Sequence, residues 1–340
     1  MKIKNKIISN ISQPFFVAEA GINYDGNFRK CFELIDAAKK AGADAIKFQT
    51  HLAKHEMLDT KITLAHSKKE TVFDLMKKCE MTLDQHIKLK KYCDKKKIIF
   101  LSTPFSTQAA DLLKKVNVPA FKIGSGECNN FPLIEHIAKM RKPTIISTGM
   151  NSITSVDATY KFAKKFNKQI ILMHCISMYP APSNKSMLDT ITFFKKRYKC
   201  PVGFSDHSDD INLAIAAVAL GANIIEKHFT VSKKWSGPDI GLSITPDKFG
   251  LMVKACKEIH SAKGIRDKVL KEEKPVTKFA FASVVTIKSI KKNEKFTKKN
   301  IWIKRPGTGQ ISSKNIFKIL GKSSKIFLSN NYQLKYSDIK

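Results

Sequence analysis

The stretch GFSDHSDDINLAIAAVALGANIIEKHFTVSKKWSGPD, residues 203–239, decides how the chain is read. Two apolar runs each stop on a histidine, His207 and His228, and an Ala-rich helical pattern lies between them. Strand, helix, strand is one βα repeat, and such repeats set successive strand ends side by side on one rim of a sheet, where small-molecule sites form. Two neutral imidazoles there, with Glu226 and Asp239 close in sequence, suit a divalent cation. The alternative is a pair of capping or core histidines, and the stretch by itself leaves both open.

Working outward, the same theme recurs eight times: a short apolar or β-branched run, a polar loop, a helical pattern. The runs are Phe15–Ala18, Ala45–Phe48, Ile98–Leu101, Ala120–Ile123, Thr144–Ile146, Ile170–Met173, Val202–Phe204 and Asn223–Glu226. Near-continuous apolar runs of this length suit parallel strands covered on both faces. Helical periodicity is clearest at Phe28–Ala41, Leu83–Lys96, Asn212–Leu220 and Thr245–Lys263, with Ser106 and Thr245 as caps and Gly42 and Gly221 as stops. Eight such units predict an α/β fold, a closed (β/α)8 TIM barrel over residues 1–264.

Polar residues recur in phase where the runs end. Glu19 follows the first; Lys47 and Gln49 close the second; Thr103 follows the third; Lys122, Ser125 and Glu127 attend the fourth. Ser147 follows the fifth, Cys175 and Tyr179 the sixth, and Ser205 and His207, then Glu226 and His228, the last two. One polar strand end is a chance loop residue; eight in phase mark the face on which this barrel carries catalysis. Lys47 and Lys122 among hydroxyls and glycine amides suit a phosphate with a nearby carboxylate. A strand-end lysine also suits a Schiff base, although a cation on the two histidines removes the need for one. Glu19 and Glu127 suit orienting a hydroxyl or activating water. The bland reading of each is a salt bridge at the barrel mouth.

From about Gly264 the pattern changes. Residues 265–276 read as a charged linker punctuated by Pro275, and 277–340 as a compact β-rich module with Arg305 in the turn KRPGTG. The net charge of +32 raises the question of nucleic acid. The basic residues are nearly all lysines spread over many helices without interleaved aromatics, which speaks for solvated faces and against nucleic-acid binding. Seven scattered cysteines show no C-x-x-C spacing and read as reduced thiols. The absence of a long apolar segment predicts a cytoplasmic protein without a membrane partner.

With these residues assembled, the sequence resembles the bacterial sialic acid synthases, the NeuB-like N-acetylneuraminate synthase family. The resemblance rests on AEAGIN (18–23), IKFQTH (46–51), STPF (102–105), FKIGSGECNN (121–130), STGMNS (147–152), YPAP (179–182), FSDH (204–207), EKHFT (226–230) and GPDI (237–240). FAFASVV (279–285) and NIWIKRPGTG (300–309) resemble that family's C-terminal antifreeze-like module, a SAF domain of β-clip type. It implies an enzyme condensing phosphoenolpyruvate with N-acetylmannosamine and water to N-acetylneuraminate and phosphate. The alternative acceptor is a diacetamido-dideoxyhexose, leading to legionaminate or pseudaminate. By resemblance Lys47, Thr103, Lys122, Ser125, Ser147 and Ser205 bind phosphoenolpyruvate. His207 and His228 hold a divalent ion, manganese first, magnesium or cobalt otherwise. Glu19, Gln49, Glu127 and Asp239 surround the acceptor and reacting centre, and Tyr179 touches the sugar. Arg305 is lent to the partner subunit in a domain-swapped homodimer. The chain departs from the usual pattern at Tyr24, Asp25 and Ser177, which the resemblance places on the acceptor side.

Overall fold

The computed structural model describes residues 1–64 and 67–340. The chain divides into two compact units, Met1–Lys263 and Gly264–Lys340.

The first unit contains eight parallel strands: β1 (Phe15–Gly21), β2 (Ala45–Thr50), β3 (Ile99–Pro104), β4 (Phe121–Ile123), β5 (Thr144–Ser147), β6 (Ile170–Cys175), β7 (Val202–Asp206) and β8 (Ile224–His228). They hydrogen-bond in the order β3-β2-β1-β8-β7-β6-β5-β4, and the ends of this ladder, β3 and β4, lie side by side, so the sheet comes round into a barrel. Helices α1 (Phe28–Lys40), α2 (Leu83–Lys96), α3 (Thr107–Val116), α4 (Phe131–Lys139), α5 (Ile153–Lys164), α6 (Asp189–Tyr198), α7 (Asn212–Ala219) and α8 (Pro246–Ala262) follow the strands in turn. The eight predicted strands are all present, and seven of them run past the apolar run that marked them.

Strand alternation sorts the side chains into two sets. Phe16, Ala18, Ile46, Phe48, Phe100, Phe121, Ile146, Leu172, Phe204 and Ile225 face outward and form the main core with the helices. Phe15, Val17, Ala45, Ile99, Leu101, Ala120, Ile145, Ile171, Met173 and Ile224 face inward and fill the lower barrel, where Ile3 and Ile8 of the N-terminal segment join them. The inward register continues upward through Glu19, Lys47, Thr103, Lys122, Ser147, Cys175, Ser205 and Glu226, so the polar layer stands directly on the apolar one.

Local signals fix the helices. Thr82 and Gln85 form a reciprocal capping box on α2, and Ser106 caps α3 through Ala109 N–H at 3.2 Å. After α1 the chain turns through Gly42 at φ +86°, a conformation that glycine adopts without strain.

The second unit has its own core of Val284, Ile290, Phe296, Ile301, Ile311 and Leu334 around an antiparallel pair, β9 (Ser283–Thr286) and β10 (Ile301–Lys304). The stretch read as a linker belongs to this unit and is partly helical: a 3-10 turn at Lys271–Glu273 runs into α9 (Lys274–Ala280). Pro275 opens that helix instead of interrupting it, since the first turn needs no amide donor. Glu273 steadies the entry by accepting from Leu270 N–H at 3.0 Å and pairing with Arg266 at 2.5 Å. Among the described residues no helix is long and apolar enough to cross a membrane.

Candidate active site

At the C-terminal mouth of the barrel a cavity of about 290 Å³ is lined from all eight strands or the loops that follow them. Glu19, Lys47, Gln49, Thr103, Lys122, Ser125, Ser147, Tyr179, Ser205, His207 and His228, all expected from sequence, meet here.

Its floor is a largely buried charged cluster. Lys47 Nζ lies 2.7 Å from Glu19 Oε2 and 3.7 Å from Glu226 Oε1, and donates to Thr103 Oγ1 at 3.1 Å. Lys122 Nζ reaches both oxygens of Glu226, at 2.8 and 3.1 Å, and Ser205 Oγ adds a hydrogen bond to Oε1 at 3.1 Å. The two carboxyls respond oppositely. Burial raises Glu19 to about 7, and Lys47 counters it only in part. Burial acts on Glu226 in the same sense, but Lys122 and Lys47 together overcome it and hold the group down near 2. Burial likewise lowers Lys122, whereas Lys47, facing two carboxylates, is raised.

One wall carries the imidazoles. His207 Nδ1 lies 2.7 Å from Ile176 O, which fixes the ring and leaves Nε2 facing the cavity, 3.3 Å from Ser205 Oγ. His207 and His228 have ring centroids 5.4 Å apart, and Tyr179 stacks on His207 at 4.5 Å. His228 Nδ1 is buried without a hydrogen bond, 3.5 Å from Asp239 Oδ2. Burial depresses both imidazoles, His228 far below its ordinary value with His207 adding to the effect. Two neutral, desolvated imidazoles, one with an orphaned nitrogen, fit a divalent cation as two of its ligands. Among the described residues no group of three or more His, Cys, Asp and Glu has metal-holding closeness.

The opposite wall is made of hydroxyls and amides. Gly149 N–H donates to Ser125 Oγ at 3.1 Å, and Ser125 Oγ lies 3.1 Å from Cys175 Sγ. A Cβ on Gly149 would stand 2.3 Å from Ser177 Oγ, so glycine is what lets the β5 and β6 loops approach.

Other expected residues lie elsewhere. Glu127 is half-buried in a 3-10 turn and takes a hydrogen bond from Asn130 Nδ2, the cap of α4, instead of facing the cavity. Asp239 is not among the cavity-lining residues, but its Oδ2 lies 3.5 Å from His228 Nδ1, and a Cβ on Gly21 would meet it at 3.3 Å beside Gln49 and Glu19. Tyr24 is buried and does not line the cavity, its hydroxyl donating to Cys79 O and its ring edge-on to Phe48. Asp25 pairs with Lys78. Ser177 does line the cavity. Arg305 is exposed in the second unit, in a cleft with Lys304, Thr308, Gln333 and Lys335.

Glu226 and Cys175, read from sequence only as polar strand ends, line the cavity, Glu226 as the counter-ion of both lysines, and the structure adds Phe105 and Met150. Strand parity carries the signal for two of them: Glu226 lies two residues after inward Ile224, and Cys175 two after Met173.

Two family models match: NeuB family over residues 34–268 and SAF domain over 281–340. An N,N'-diacetyllegionaminic acid synthase of Campylobacter jejuni is 37% identical over 92% of this chain and 96% of its own. The crystal structure of spore coat polysaccharide biosynthesis protein SpsE from Bacillus subtilis superposes with a TM-score of 0.69 at 32% identity, covering 100% of this chain and 99% of that one. That of N-acetylneuraminic acid synthetase from Leptospira borgpetersenii gives 0.73 at 31%, covering 81% and 94%. This chain belongs to the NeuB family of sialic-acid-type synthases and carries a SAF domain over residues 281–340.

Proposed function

We propose that the cavity condenses phosphoenolpyruvate with the open-chain aldehyde of a 2-acetamido sugar and water, giving a 2-keto sugar acid and phosphate. The observation that carries this reading is the pair Lys47 and Lys122, two buried ammonium groups on one floor beside Thr103, Ser147 and Ser205. With Glu19 raised to about 7 and Glu226 ionised, the two lysines leave the floor with excess positive charge below that pH. A small, highly charged anion such as phosphoenolpyruvate suits that excess. His207 and His228 would hold a divalent cation, manganese first, which when bound supplies the charge that polarises the aldehyde oxygen.

C3 of phosphoenolpyruvate forms a bond to the aldehyde carbon, water adds at C2, and the C–O bond to phosphate breaks. Glu19 takes the proton from water in this reading, because it faces the cavity and titrates near neutrality, whereas Glu127 does not reach it. Tyr179 over His207 packs against the sugar. Arg305 contributes as a guanidinium from the partner copy of a homodimer, a role that Arg305→Ala tests through KM.

The acceptor read first from sequence is N-acetylmannosamine. The 37% identity to an N,N'-diacetyllegionaminic acid synthase favours a diacetamido-dideoxyhexose as the second reading. Incubation with phosphoenolpyruvate, manganese and each acceptor, followed by mass analysis of the product, separates them. The expected result is phosphate release only with all three components present, and no keto acid from any acceptor would sink the proposal. His207→Ala and His228→Ala should each abolish metal-dependent turnover in a protein that keeps its fold; an unchanged rate refutes their assignment.

A further inference from the structure

Four side chains run in line from the loop after β2 to the cavity floor. Glu56, in the helical turn Ala53–Glu56, sets Oε1 2.6 Å from His51 Nδ1, and its Oε2 accepts from Leu52 N–H at 3.1 Å. His51 Nε2 lies 3.0 Å from Gln49 Oε1, and Gln49 Nε2 donates to Glu19 Oε1 at 3.2 Å. The side chains of His51 and Glu56 are 4% and 3% exposed, and the imidazole stacks on Phe105 at 4.4 Å.

A carboxamide has two ends of nearly equal shape, so its orientation is set by what it hydrogen-bonds. Gln49 Oε1 can only accept, so at 3.0 Å His51 Nε2 is the donor of that contact. That leaves the Gln49 amide nitrogen turned to Glu19. Reversed, with Nε2 still the donor, the imidazole N–H would face an amide nitrogen that cannot accept.

We propose that His51 and Glu56 are positioning residues: acting through Gln49, they aim an amide N–H at Glu19 and hold that carboxyl in its working place. The proposal rests on the phosphoenolpyruvate-condensing reading for its kinetic consequence, but not for the hydrogen-bond chain itself. The lysine side of the floor makes no contact with either residue, so their loss should fall on turnover and not on anion binding.

His51→Ala and Glu56→Ala should each lower kcat about tenfold to a hundredfold, the scale of a misplaced catalytic group. KM for phosphoenolpyruvate should stay within about threefold. His51→Gln, whose amide nitrogen reaches about as far as Nε2, should recover most of the loss. A folded His51→Ala or Glu56→Ala with unchanged kcat overturns the proposal, as does a loss that appears wholly in KM. A second readout needs no substrate: the side-chain amide NMR signal of Gln49, identified by its loss in Gln49→Leu. It should be sharp and slowly exchanging in the wild type, broadened in His51→Ala and restored in His51→Gln. If the wild type turns over no acceptor, the functional reading fails and this signal decides alone: broadening supports the chain, and an unchanged signal in His51→Ala overturns it.

Discussion

Glu19 and Glu226 sit on one floor with the same two lysines, yet one is held up near 7 and the other down near 2. Glu226 lies between two ammonium groups, whereas Glu19 has one at close range and a neighbouring carboxylate besides. The difference has a stability consequence. The folded value for Glu19 lies above its ordinary 4.5, so folding favours the protonated form. That contribution is fully present below about pH 4.5 and is lost as pH rises through 7, by an amount of order 3 kcal/mol at most. Glu226 works in the opposite sense, contributing above 4.5 and losing its effect as pH falls toward 2. Glu19→Gln keeps the neutral state at every pH, and Glu226, held near 2, stays ionised in both proteins from about pH 5 to about pH 8. Urea midpoints at about pH 5 and about pH 8 should therefore show the wild type losing ground to the variant as pH rises. A difference that stays constant across the range would refute the raised carboxyl. Sequence supplied Glu19 and both lysines as strand-end residues, but not this division of labour, because burial depth and charge spacing belong to the folded floor.

At the scale of elements, all eight strands and the four clearest helices are legible in the chain, and the boundaries show where the reading stops. The apolar runs end at Ala18, Phe48, Leu101 and Phe204, while the strands continue to Gly21, Thr50, Pro104 and Asp206. Backbone pairing does not require apolar side chains, so a strand persists into its polar end wherever neighbouring strands hold it. Parity is the signal that separates Glu226 from its neighbour. Glu226 points in to the lysines; Lys227 points out, completely buried, and pairs with Asp206 at 2.9 Å across β7 and β8. Glu127 lies in a 3-10 turn, and a turn, unlike a strand, gives no parity to read. Gly203 shows how tightly the layers stack: a Cβ there would stand 2.8 Å from Met173 Cε and 2.9 Å from Ile224 Cβ inside the barrel. Gly203→Ala should cost about 1–3 kcal/mol by overpacking the layer beneath the charged floor. Thermal melting checks this, and an unshifted midpoint would mean that the inner layer has slack.

At the scale of the molecule, the change of pattern near Gly264 coincides with the boundary between two compact units, each with its own core. A short segment with a closed apolar core can fold alone. A fragment spanning residues 264–340 should therefore melt cooperatively, and a gradual, non-cooperative melt by circular dichroism would contradict its independence. The helical entry to this unit was hidden in sequence because a run of lysines and glutamates with a proline looks the same in a linker and in a capped first turn. The acceptor is the part of the proposed function that the strand ends leave open; Ser177, Phe105 and Met150, on the loops after the strands, line the mouth. The central claim, that the lysine floor binds phosphoenolpyruvate for condensation with C–O cleavage, is tested most directly by phosphoenolpyruvate carrying heavy oxygen in the bridge between C2 and phosphorus. With manganese and the acceptor that turns over, the label should leave with inorganic phosphate while the keto acid takes its new oxygen from water. Label retained in the keto acid, or no labelled phosphate with any acceptor, would contradict the account.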